Sequence, residues 1–135
     1  MTVLDTSGVI DLLLGGQAAK QVEGLLDREG SVAAPELLVF EVLAVLRRDA
    51  LRHAMTEERA AAAIDDLGDV SIELFPSLPL RSRAWGLRHN LTAADALFVA
   101  LAERLEEPLA TKDRGLAAAA RSHAAVEVIH LEAAD

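Results

Sequence analysis

The chain has 135 residues, of which 52% are apolar, so it is long enough for one domain with a real core and too apolar for a disordered segment. The absence of cysteine excludes disulfides and thiolate metal sites and fits a reducing compartment, the cytoplasm. The formal net charge of -9 argues against a general nucleic-acid coat protein, and an aromatic content of 3% argues against a base-stacking surface.

In chain order, residues 2–4 read as a short apolar strand ending at Asp5. Ser7 caps a helix through Leu14, stopped by Gly15-Gly16. A second helix runs from Gln17 to Arg28, and SVAAP (31–35) is a strand closed by Pro35. ELLVFEVLAVLRRDALR (36–52) is a long helix with Pro35 near its start. Thr56 opens TEERAAAAIDDLG, ended by Gly68. VSIELF (70–75) is a strand terminated by Pro76, and residues 78–89 form a helix around Leu80, Ala84, Trp85 and Leu87. In LTAADALFVALAERLE (91–106), Thr92 caps a helix on which Leu97, Leu101 and Leu105 recur every four residues. PLAT (108–111) is a strand, Asp113 leads into the helix RGLAAAARSHA, and VEVIHL (126–131) closes as a strand. No basic leader precedes an apolar stretch at the start, and no apolar run is long enough for a membrane span. Strands alternating with helices predict a single α/β domain over 1–135, a short central parallel sheet in a three-layer α/β/α arrangement.

Ligands of open parallel sheets bind beyond the carboxyl ends of the strands. Asp5 and Asp113 each follow a strand, so both fall at that edge. Each is also a good helix cap. Thr92-Ala93-Ala94-Asp95 resembles a capping box, and an acid in a first turn suits the helix dipole. Glu41 is harder to account for. It interrupts an apolar helix on the face shared by Leu37 and Val45, and an unpartnered buried carboxylate is costly. Four converging carboxylates are tolerable with divalent cations among them, and hard oxygen ligands select Mg²⁺ or Mn²⁺.

LDTSGVIDLL, PELLVFEVLAVLRR and LTAADALFVALAERLEEPLATKDRGLA, in that order, resemble the PIN-domain ribonucleases, and specifically the VapC-type toxins of toxin–antitoxin pairs. The resemblance spans essentially the whole chain. It implies a Mg²⁺- or Mn²⁺-dependent endoribonuclease that cuts a tRNA or rRNA loop. It further implies that Asp5, Glu41, Asp95 and Asp113 are catalytic, with Asp5, Asp95 and Asp113 as metal ligands and the hydroxyls of Ser7 and Thr111 in support. A VapB-type antitoxin occupying the groove and a homodimer are implied as partners, with no membrane. Two departures stand out. Ala94 occupies a position where many relatives carry an aromatic residue, and the 66–91 segment carries little family signal.

Other features are weaker. Arg114, beside Asp113, is a candidate substrate contact. Arg47, Arg48, Arg52, His53 and Arg59, and likewise Arg81, Arg83 and Arg88, read as solvated or helix-terminal charge somewhat more readily than as phosphate contacts. The four histidines lack metal-site spacing and read as surface residues. Trp85 reads as packing rather than a base platform. Three rivals remain: a phosphatase using Asp5 as nucleophile, whose usual second acid is replaced by Ser7; a phosphoacceptor receiver domain; and a catalytically weak PIN-like binding module.

Overall fold

A computed structural model describes residues 1–131. Five short strands form one parallel sheet: β1 (Val3–Leu4), β2 (Val32–Pro35), β3 (Ile72–Phe75), β4 (Leu109–Thr111) and β5 (Val128–His130), in the spatial order β3-β2-β1-β4-β5. β1 is central, and its neighbours are reached by connections that wind in opposite directions. The switch point therefore lies between β1 and β4, where a doubly wound sheet opens a crevice at its carboxyl edge.

Seven helices cover the sheet. On one face α1 (Thr6–Leu14) packs against α2 (Ala19–Glu29), α3 (Leu37–Leu51) and α4 (Glu57–Asp69). On the other, α5 (Arg81–Gly86) packs on α6 (Ala93–Leu105), and Arg83 Nη2 donates to the His123 carbonyl at the end of α7 (Arg114–His123). α6 is the central buttress. Ala96 and Phe98 to Ala102 are all buried, because this helix lies across β2, β1 and β4 and has little free face. The strands it covers are equally dry: Val3, Leu4, Val32, Ala33, Ala34, Leu109 and Ala110 expose nothing to solvent. Fully buried parallel strands read as continuous apolar runs, as these do.

The expected elements form with local corrections. Asp5 caps α1, accepting from the Gly8 N–H, so Ser7 is not the cap. α1 does stop at Gly15, in the left-handed region at φ 70°. Pro35 ends β2, and α3 starts at Leu37. α4 runs through Gly68 to Asp69, since a glycine with its helical hydrogen bonds intact lowers stability without ending a helix. The single helix expected over 78–89 is a 3₁₀ turn at Leu78–Leu80, with Pro79 in its first turn, followed by α5, which ends at Gly86. Thr56 and Thr92 cap α4 and α6 as expected. Among the described residues no helix is long and apolar enough to cross a membrane.

Candidate active site

The four acids come from four elements. Asp5 leaves β1, Glu41 stands one turn into α3, Asp95 lies in the first turn of α6, and Asp113 follows β4 as the cap of α7. β1 and β4 are neighbours, so Asp5 and Asp113 meet at the switch point. Asp5 is buried, with 6% of its surface exposed, and both carboxylate oxygens are held. Ser7 Oγ donates to Oδ1 at 2.7 Å, the Gly8 N–H donates to the same oxygen at 3.2 Å, and Thr111 Oγ1 donates to Oδ2 in a short bond. The loop after β4 locks these hydroxyls in turn. The Lys112 N–H donates to Ser7 Oγ, and the Asp113 N–H donates to Thr111 Oγ1. Ser7 and Thr111 thus clamp the Asp5 carboxylate from both sides.

Glu41 is half-buried rather than sealed in the core, and it is not unpartnered. Thr6 Oγ1 donates to its Oε1 at 2.7 Å. Asp113 is exposed and its Oδ1 accepts from the Leu116 N–H, so it serves as a cap with one carboxylate oxygen. Arg114 is exposed at the first position of α7, beside it.

The electrostatics indicate that the acids share one field. Burial pushes the Asp5 carboxyl up from the usual carboxylate range against the pull of its hydrogen bonds, and the charge of Asp113 adds to the rise. Asp95 is also raised, by burial first, then by Asp113, with smaller pushes from Asp5 and Glu41. Like charges that close disfavour each other's ionised forms. Among the described residues no group of three or more His, Asp or Glu side chains is placed closely enough to hold a metal ion as it stands. An open set of carboxylate oxygens still suits Mg²⁺ or Mn²⁺, which keep several waters and take few protein ligands.

A profile of the PIN domain matches residues 2–122. The chain belongs to the PIN-domain family. This PIN domain is 45% identical over 119 residues to ribonuclease VapC1 of Mycobacterium tuberculosis, covering 87% of the chain and 89% of that protein. Its fold matches a VapBC2 structure from Rickettsia felis at a TM-score of 0.72 with 12% identity, covering 97% and 98% of the two chains. It also matches a toxin–antitoxin complex from Klebsiella pneumoniae at a TM-score of 0.66 with 20% identity, covering 99% and 100%.

Several residues of this PIN domain's site carried no distinctive signal in the sequence. Thr6, next to the expected cap Ser7, holds Glu41 across 35 positions. Lys112 pairs its Nζ with Asp11 at 2.8 Å, and Asp11 also accepts from the Ala18 N–H, so the loop after β4 is tied to the far end of α1. His130 is not a free surface residue: its Nε2 lies 3.3 Å from the Lys112 carbonyl. Arg59 reaches the Leu13 carbonyl and joins α4 to α1, away from a phosphate role. Trp85, expected in the packing, is 68% exposed.

Proposed function

We propose that this protein is a Mg²⁺- or Mn²⁺-dependent endoribonuclease of the VapC type, a toxin held in check by an antitoxin. The observation that carries the reading is the meeting of Asp5, Glu41, Asp95 and Asp113 around the crevice between β1 and β4, on a chain 45% identical to a ribonuclease. Asp5, Asp95 and Asp113 would hold the ion, with Glu41 facing them. A bound Mg²⁺ or Mn²⁺ supplies an activated water and neutralises charge that develops on the scissile phosphate.

The chain's own residues do the positioning. Ser7, Gly8 and Thr111 fix the Asp5 carboxylate in one orientation, and Thr6 does the same for Glu41. Oriented carboxylates of this kind lose less freedom when a cation binds. The same hydrogen bonds count against a phosphatase with Asp5 as nucleophile, because both of its oxygens are already engaged and the side chain is buried.

The partner reading draws on the surface as well as on the family. Val39, Leu43, Ile64 and Leu74 are exposed and line one groove formed by α3, α4 and β3, and Phe40, the next residue along α3, is 70% exposed. Apolar side chains of that size on one flank support a surface covered by an antitoxin or by a second copy in a homodimer. The test is cleavage of RNA by the purified protein with Mg²⁺ or Mn²⁺, with EDTA, and as Asp95→Asn. Expected are cleavage in the first case and background in the other two. Wild-type activity in Asp95→Asn would overturn the site, and equal cleavage with the antitoxin bound would overturn the inhibition.

A further inference from the structure

The segment from Leu74 to Ala94 departs from the rest of the chain in charge. Asp and Glu number 22 in 135 residues, yet none falls in this stretch, which holds Arg81, Arg83, Arg88 and His89. At its centre Trp85 is 68% exposed, and the Arg88 guanidinium lies over its ring at 4.6 Å from the centroid. Arg83 is committed to Glu103 on α6 and to the His123 carbonyl, so it anchors α5. Arg81 and Arg88 bond only backbone carbonyls, of Leu78 and Trp85, and neither meets a carboxylate among the described residues. Their remaining guanidinium N–H donors are free for an anion.

We infer that Trp85, Arg81 and Arg88 form a single-strand RNA platform that holds nucleotides flanking the cleaved bond. This rests on the ribonuclease reading above and extends it to the substrate. An exposed indole accepts any base by stacking, and neighbouring guanidiniums take the phosphates. The patch is close in sequence to the site. Arg88 is four residues before Thr92, the cap of α6, so it lies at most about 14 Å from the helix end that carries Asp95. A cationic approach also compensates, on the substrate side, for the acidic centre itself. A second copy of the chain is a poor occupant, because a two-fold interface sets the same patch against itself and would face Arg with Arg.

Trp85 is the sole tryptophan, so its fluorescence reports its own surroundings. The experiment titrates the full-length Asp95→Asn protein, which binds without cutting, with a short labelled single-stranded RNA of mixed sequence, and measures cleavage kinetics in the Asp95 background. Expected are quenching of Trp85 fluorescence on binding, an affinity loss of roughly 5- to 150-fold in Trp85→Ala, and near-complete retention in Trp85→Phe. In cleavage the Trp85→Ala loss appears in KM with kcat unchanged. Arg81→Gln and Arg88→Gln each flatten the dependence of log affinity on log salt by about 0.7. Unchanged RNA affinity in these variants, or Trp85 fluorescence that does not move when RNA binds the Asp95→Asn protein, overturns the platform while leaving the ribonuclease intact. So does a Trp85→Ala protein that loses only its dimer or its antitoxin, which assigns the patch to a protein partner. A wild-type protein that neither binds nor cuts RNA removes both the platform and the reading beneath it.

Discussion

At the scale of single residues, the site shows side chains holding two roles at once. Asp5 and Asp113 are helix caps and site carboxylates together, because the carboxyl end of a parallel strand is also the start of the next helix. The consequence is tension between stability and function. Burial and Asp113 raise the proton affinity of Asp95 in the folded state above its unfolded value of 3.8. The folded protein therefore binds more protons than the unfolded one as pH rises from 3.8 to the raised value. Stability falls across that window and stays lower above it. Metal-free Asp95→Asn should accordingly melt at a higher temperature than wild type at pH 7, and the gap should close in acid. Thermal melts at several pH values measure this, and a lower melting temperature for the variant at pH 7 contradicts it. Thr6→Val tests the support of Glu41. It should lower cleavage by roughly 10- to 100-fold with little change in melting and a smaller change in Mn²⁺ affinity, because Glu41 faces the ion's ligands without being one of them. Titration of Mn²⁺ by electron paramagnetic resonance separates the two effects.

At the scale of elements, α6 bears the most. Its buried face covers β2, β1 and β4, and its first turn delivers Asp95. Phe98, 1% exposed, is the largest side chain in that contact. Phe98→Ala should cost about 3–5 kcal/mol, a large share of the roughly 5–15 kcal/mol that holds a domain. Urea unfolding measures it, and a loss below about 1 kcal/mol would mean that α6 is not the buttress described. Elements with strong local signals were legible before the fold was known. Thr56 and Thr92 cap where they should, and VAAP and LAT form strands. Segments in which local signals conflict were not. Gly68 reads as a stop but lies inside α4, and the stretch that Leu80, Ala84, Trp85 and Leu87 suggest is one helix divides into a 3₁₀ turn and α5. Trp85 lies exposed against the packing expectation, because an isolated tryptophan has no period from which to read burial.

At the scale of the whole molecule, the acids carry a repulsion that a bound cation would offset. Four carboxylates around one crevice repel, and a divalent ion that binds the native state alone stabilises it by mass action, by about 2.7 kcal/mol at a hundredfold excess over its Kd. Mg²⁺ should therefore raise the melting temperature, EDTA should reverse the rise, and Asp95→Asn should lose most of it. An equal rise in the variant would place the ion elsewhere.

The amino-acid sequence by itself determined the alternation of strands and helices, the absence of thiolate chemistry, and the four acids with their spacing. All of these are local or additive properties that periodicity, capping and composition express directly. Tertiary structure alone decided which of those features meet. It set β4 beside β1, so that Thr111 reaches Asp5 across 106 positions and Lys112 reaches Asp11. It brought Thr6 to Glu41, and it turned Trp85 and two arginines outward. Such contacts follow from strand order and helix docking, which minimise exposed surface over the whole chain and leave no mark on any single stretch of it.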